Sequence, residues 1–289
     1  MPKSPLKSAV LIAGPTASGK SALAIEMARD RGGVIINADS MQVYRELRII
    51  SARPSVEEEE QAPHRMYGHV AGAEDYSAGR WLADAKLEIE ACWAIGRVPI
   101  IVGGTGLYFL ALQGGLADVP PIPVDVREKW RAFRGDLHGK LQLLDPLAAA
   151  KLNPADQQRI IRALEVVDAT GRTLAEWQGQ SRANGFLNEI NVERLFVDVP
   201  REELYVRAER RFDVMMERGA LNEVAALPGL PPSQPILKAI GIPELMSHLR
   251  GQTTREEAVA LAKTATRQYI KRQLTWWRGQ MQDWVRYES

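Results

Sequence analysis

Residues 14–21 read Gly14-Pro15-Thr16-Ala17-Ser18-Gly19-Lys20-Ser21, the glycine, lysine and hydroxyl spacing of a phosphate-cradling loop. Such a loop turns successive backbone N–H groups inward onto an anion. Lys20 can reach the outer phosphates and Ser21 can hold a magnesium ion. The pattern alone says that a di- or triphosphate binds, not what is done with it. An accidental glycine-rich turn is the plainer alternative. Two further groups are placed to do chemistry. Asp39 follows the β-branched run Val34-Ile35-Ile36, where it would bind magnesium, serve as a base, or simply cap a turn with Ser40. Gly103-Gly104-Thr105-Gly106 is a second glycine-rich turn, a weak signal by itself. Beside a phosphate loop it would put the Thr105 hydroxyl near a leaving oxygen.

These groups need elements to hold them. Ala9 to Ala13 is an apolar run before the phosphate loop, and Ala22 to Ala28 suits a helix after it. Trp81, Leu82, Ala85, Ile89, Cys92 and Trp93 have helical spacing within Gly79 to Ile95, and Val98 to Val102 reads as another short strand. Strand and helix alternate, which argues for a parallel sheet covered by helices. In such sheets ligands sit beyond the carboxyl ends of the strands. The phosphate loop, Asp39-Ser40 and the Thr105 turn all lie at such ends and can share one cleft.

Composition shifts near Asp118, and Val119 to Pro123 is a stiff proline connector. From there to about Gly185 the periods are helical. Asn153-Pro154 predicts a helix start, with Ile160, Ile161, Leu164 and Val167 on its apolar side and Gly171 as its stop. Val192 to Val199 returns to strand character. Helices are expected from about Arg201 to Arg218 and from Thr254 to about Trp277. The fold class expected is α/β: a phosphate-loop NTPase-like parallel sheet flanked by helices, with a small all-helical insertion. The corresponding division is 1–118 with 190–289 for the core and 119–189 for the insertion. Ser55 and Glu58 predict a capping box, so the acidic run Glu57 to Glu60 is a solvated first turn.

Net charge is +1 over 289 residues, so no global field draws the chain to polyanions. A single cysteine, Cys92, excludes an intrachain disulfide and a cysteine-rich zinc site; it reads as a buried inert thiol and suits a reducing cytoplasm. The leading Pro2-Lys3-Ser4-Pro5 lacks the apolar core of a signal peptide, and no membrane-spanning segment is expected. Monomer is the default oligomeric state.

The last helix adds a local patch. Ala258 to Gln282 contains no acidic residue, whereas Lys263, Arg267 and Lys271 recur every fourth position along one face. Gln268, Tyr269, Gln273, Trp276 and Trp277 are interleaved. This mixture suits an RNA backbone and unstacked bases. It equally suits a solvated basic helix with its tryptophans in the core.

Taken together the motifs resemble the tRNA dimethylallyltransferase (tRNA isopentenyltransferase) family of bacterial type. The matching pieces are residues 14–21, Asn37 to Tyr44, Ala52-Arg53-Pro54, Pro63-His64-Arg65 and Val102 to Tyr108. Asp156 to Arg159, Arg162 to Glu165, Thr266 to Tyr269, Lys271 to Gln273, Trp276 and Arg278 continue the match in order.

The resemblance implies transfer of a dimethylallyl group from dimethylallyl diphosphate to the N6 amine of the adenosine immediately 3′ of the anticodon in tRNA. The phosphate loop then holds an isoprenoid diphosphate, with Mg2+ as cofactor on Ser21. Lys20, Thr16 and Arg211 are expected to stabilise the leaving group, with Thr105 near the bridging oxygen. Asp39 is expected to be the general base. The tRNA contacts implied are Asp39, Ser40, Met41 and Gln42; Arg127, Gln158, Arg159, Ile160, Ile161 and Arg162; and Lys238, Ala239, Ile240 and Gly241. The basic row of the last helix adds Arg267 and Lys271 as expected tRNA contacts.

Ser51 stands where threonine is commoner, Arg53 where lysine is, and Ile242 where an aromatic residue is usual. A phosphate-loop kinase, binding ATP and using Asp39 to activate a hydroxyl, is the alternative, but gives the basic aromatic helix no role. A non-catalytic RNA-binding protein that keeps the loop as a nucleotide sensor is a third reading.

Overall fold

The computed structural model describes residues 7–181, 185–188, 190–227, 229–232 and 234–288. The leading residues 2–5, and positions 182–184 and 189 of the expected insertion, lie outside them. The chain forms two compact units, Met1–Phe109 with Glu189–Ser289, and Leu110–Asn188.

The first unit opens with β1 (Ser8–Ala13), α1 (Lys20–Arg31), β2 (Val34–Asn37), α2 (Val56–Gln61), β3 (His64–Arg65), α3 (Ala78–Ala94) and β4 (Pro99–Gly103). The helix α4 (Gly106–Gly114) follows. The sheet is six-stranded in the order β3-β2-β4-β1-β5-β6, and every pairing is parallel. Its later strands are β5 (Asn191–Asp198) and the edge strand β6 (Val285–Glu288). Residues 9–13 of β1 and all of β2 and β4 are buried, which explains their unbroken apolar runs: helices cover both faces.

The strand order does the positioning. β4 lies between β2 and β1, with Asn37 opposite Val102 and Ala13 opposite Gly103. The turn after β4 is therefore flanked by the turn after β2 and the phosphate loop after β1. Gly103 is required by close approach, because a Cβ there would collide with the Ala38 backbone.

The Leu110–Asn188 unit is helical among its described residues: α5 (Val124–Ala132), α6 (Leu137–Leu144), α7 (Pro146–Ala149), α8 (Gln157–Thr170) and α9 (Leu174–Ser181) follow the end of α4. Trp130, Leu141, Ala149, Ile160, Ala163 and Leu164 form its core. The Trp130 indole N–H donates to Asp168 at 2.9 Å. The start of α8 corrects the sequence reading. Asn153-Pro154 heads a turn in which the Asp156 N–H reaches the Asn153 carbonyl at 2.8 Å. Asp156 is the cap, its side chain accepting from Arg159 N at 3.2 Å. Proline at the second turn position is as well accommodated as at a first helical one. Gly171 ends α8 at φ 68 as expected.

After β5 come α10 (Arg201–Glu217), α11 (Ala220–Ala225), α12 (Ile242–Leu249) and α13 (Arg255–Gln280). α13 packs on α10 and α12. The Ser55–Glu58 capping box forms as predicted, and a second, Thr254–Glu257, starts α13.

Candidate active site

The phosphate loop leaves β1 at Ala13 and feeds α1 at Lys20. Ala17 sits at φ 64, a left-handed conformation costly for a residue with a Cβ. Gly19 takes φ 89 at the helix start, where glycine is unstrained. The Lys20 ammonium donates to the Pro15 carbonyl at 3.2 Å. Burial pushes its pKa down to about 8, with the Asp39 carboxylate opposing and Arg211 adding to the depression. Arg211, on α10, donates to the Thr16 hydroxyl. Burial lowers its pKa as well, again against Asp39. Two cations and one carboxylate thus converge from three separate segments.

A cleft of about 520 Å³ opens on this side, lined by the loop from Ala17 to Ser21 and by Arg48, Arg53, Arg207, Arg211 and Arg218. Arg53 donates to the carbonyls of Tyr44 and Arg45 at 3.4 and 3.3 Å. The wall carrying Arg48 is fixed by Glu223 of α11. Its carboxylate accepts the N–H groups of Arg48, Ile49 and Ile50 at 2.7, 2.8 and 2.8 Å.

Asp39 lies just past β2 in a turn built by Asn37. The Asn37 side chain accepts from Asp39 N at 2.9 Å and donates to the carbonyls of Asp39 at 3.0 Å and Met66 at 3.1 Å. The Asn37 carbonyl accepts the Trp81 indole N–H at 2.8 Å, and Trp81 stacks on Tyr108 at 4.2 Å. Asp39 Oδ1 accepts from Met41 N at 2.9 Å. Asn37 was missed as a site residue. The available signal was a polar side chain ending an apolar strand two residues before an acid, the spacing of an Asx turn.

Thr105 ties this turn to the second glycine turn. Its N–H donates to the Ala38 carbonyl at 3.2 Å and its hydroxyl accepts from Ser40 N at 3.0 Å. Tyr67, Tyr108 and Tyr269 surround the region. Their phenol pKa values are pushed up, by burial first and by the Asp39 charge second.

A second cleft of about 250 Å³ joins several expected residues. Thr16, Asp39, Ser40, Met41 and Arg211 line it together with Lys238, Ala239 and Ile240. Ser51, Thr266, Tyr269 and Arg272 add to its polar wall. A third, of about 220 Å³, lies between Thr105 and α13, with Leu107, Trp276 and Trp277 in its lining.

Some of the other expected contacts are engaged within the fold. The Gln42 amide donates to the carbonyls of Ser51 and Ala52 at 2.9 and 3.0 Å, so it braces a turn. Gly241 caps α12 at φ 96, and Ile242 is fully buried, so the departure there repacks the core. Ile160 is a core residue of the helical unit, and Ile161 packs against that core. Gln158, Arg159 and Arg162 are exposed. Arg159 pairs with Asp156 at 3.4 Å and Arg162 with Glu165 at 3.8 Å.

The basic row on α13 is partly an interhelical seam. Lys263 pairs with Asp213 at 2.7 Å, and Arg267 pairs with Glu209, both partners on α10. Lys271 is exposed. Arg272 lies 5.7 Å from the centre of the Tyr269 ring. Trp277 is buried among Phe109, Phe196 and Trp284. Gln273 is also buried, so two of the interleaved side chains face inward.

A parallel sheet with a phosphate loop after β1, a carboxylate beyond β2 and a basic cleft defines a protein of the phosphate-loop class. Family models described as IPP transferase and isopentenyl transferase match residues 42–280 and 7–71. A tRNA dimethylallyltransferase of Azorhizobium caulinodans is 54% identical over 285 residues, covering 96% of this chain and 91% of its own. One of Methylobacterium nodulans is 54% identical over 284 residues, covering 96% and 93%. The crystal structure of the full-length tRNA isopentenylpyrophosphate transferase of Bacillus halodurans superimposes with a TM-score of 0.71 at 34% identity, covering 98% of this chain and 90% of that one. A eukaryotic dimethylallyltransferase acting on tRNA gives a TM-score of 0.84 at 30% identity, covering 98% and 74%. The chain belongs to the tRNA dimethylallyltransferase family.

Proposed function

We propose that this chain transfers a dimethylallyl group from dimethylallyl diphosphate to the N6 amine of the adenosine immediately 3′ of the anticodon in tRNA. The observation that carries the reading is the convergence of Lys20, Arg211 and Asp39 at the head of the phosphate loop, in a chain of this family. The cations face the anion that must leave, and the carboxylate can take a proton. A bond from the adenine N6 to the allylic carbon forms as the bond from that carbon to the diphosphate oxygen breaks. The proton on N6 passes to Asp39, and the electron pair of the broken bond leaves with diphosphate. Lys20, Arg211 and the Thr16 hydroxyl stabilise the charge growing there. Thr105 orients the acceptor segment through Ser40.

Among the described residues no cluster of three or more acidic, histidine or cysteine side chains could hold a metal. Ser21 lines the basic cleft as a hard oxygen donor. That fits magnesium, which binds through few protein groups and draws its other oxygens from phosphates and water. Ser21 would hold the ion, which when bound supplies charge neutralisation to the diphosphate.

The target base must leave its stack to reach Asp39. The 250 Å³ cleft is the proposed pocket, with Met41, Lys238 and Ile240 on its wall. Arg127, Gln158, Arg159 and Arg162 of the helical unit, and Arg267 and Lys271 of α13, are the proposed backbone contacts. No described helix is long and apolar enough to cross a membrane. The free, buried Cys92 accords with a cytoplasmic protein. We propose action as a monomer, since one chain supplies every group named here.

The test is incubation of the purified protein with magnesium, unmodified tRNA and allyl-labelled dimethylallyl diphosphate, without ATP. Label in the tRNA is expected. No label, with transfer from γ-phosphate-labelled ATP to a small acceptor, would favour the kinase reading.

A further inference from the structure

We propose that Gln273 is a positioning residue that locks the phosphate loop to the Thr105 turn, setting the diphosphate cradle and the Thr105 hydroxyl in one fixed geometry. The inference rests on the activity proposed above. Gln273 projects from the middle of α13 and is buried. Its side-chain oxygen accepts the Thr16 backbone N–H at 2.9 Å, and its amide nitrogen donates to the Gly104 carbonyl at 3.0 Å. One amide thus satisfies a donor in one loop and an acceptor in the other. Both partners adjoin groups of the proposed chemistry. The Thr16 hydroxyl receives Arg211, and Thr105 follows Gly104.

Two features make this more than packing. With its N–H engaged by Gln273, the Thr16 peptide is fixed in orientation before any anion arrives. Gly104, in turn, leaves room for the brace, since a Cβ there would lie 2.5 Å from Gln273 Nε2. A side chain able both to accept and to donate is required. A carboxylate supplies two acceptors and faces the Gly104 carbonyl with like charge, whereas a protonated carboxyl restores the pair. The same brace makes α13 part of the active site without touching the reacting atoms.

The experiment compares the wild type with Q273E and Q273M. Steady-state label transfer is followed across pH, tRNA affinity is measured separately, and inorganic pyrophosphate affinity is measured by calorimetry without tRNA. The ratio of Q273E to wild-type turnover should fall as pH rises, because deprotonation removes the donor. Q273M, which has neither group, should bind pyrophosphate roughly tenfold more weakly, raise KM for the donor and leave tRNA affinity unchanged. G104A should reproduce Q273M, and the double variant should be little worse than either single one. A pH-independent Q273E ratio, or wild-type pyrophosphate affinity in Q273M, would overturn the proposal. Loss of folding in Q273E leaves the Q273M and G104A arms to decide. Absence of label transfer by the wild type would refute the proposed activity, and the pyrophosphate arm would still judge the brace.

Discussion

Asp39, Lys20 and Thr105 divide the work at the residue scale. Asp39→Ala removes the group assigned to take the N6 proton, so turnover should drop roughly 10²–10⁴-fold while tRNA affinity stays nearly unchanged. Comparable losses of affinity and turnover would contradict that role. Thr105→Ala should behave alike in direction, because Ser40 N loses its acceptor. Lys20 makes a pH prediction. Its pKa of about 8 in the free site means that it loses its charge as pH rises through that value. A bound diphosphate favours the charged form. Donor affinity measured without tRNA should therefore decline above about pH 8, with proton uptake on binding. In Lys20→Arg the break should vanish, since guanidinium stays protonated. A wild-type affinity flat from pH 7 to beyond 9 would refute this. Motif spacing made these residues legible in the sequence. Asn37 and Glu223 were not, because their roles lie in backbone bonds within or across turns. A turn's hydrogen bonds have no periodic signature.

At the scale of elements, the sheet was readable because strands buried on both faces must be continuous apolar runs. The strand order was not, since β4 inserts between β1 and β2 by a crossover that no local pattern encodes. α13 shows the limit most clearly. Its row of Lys263, Arg267 and Lys271 is visible as spacing, but whether it meets solvent or α10 depends on Asp213 and Glu209, about fifty residues away in sequence. Lys271→Ala should therefore weaken tRNA binding and lower the magnitude of its salt slope by about 1. Lys263→Ala should leave that slope unchanged and act on stability. Equal effects of the two on the slope would show that the seam opens to RNA. Within the turn after β2, Asn37→Ala should destabilise by roughly 1–3 kcal/mol, from buried backbone groups left unpaired, with denaturant unfolding as the readout.

The whole molecule combines a phosphate-loop unit and a helical unit in one chain. In the proposed roles the helical unit contributes tRNA contacts alone, whereas the phosphate-loop unit binds the donor and shares in holding tRNA. Variants at Arg127 or Arg162 should change tRNA affinity and leave the donor KM alone, whereas Lys20→Ala should raise the donor KM and leave tRNA affinity near wild type. The near-neutral net charge predicts that RNA binding comes from local patches, not from a global field. The most direct measurement uses two tRNAs, one with the adenosine 3′ of the anticodon and one with purine, which lacks the exocyclic amine, at that position. Allyl-labelled dimethylallyl diphosphate is supplied with magnesium and no ATP. Label on the first tRNA and none on the second is the predicted result, since N6 is the nucleophile and Asp39 takes its proton. Equal labelling of both would contradict the account.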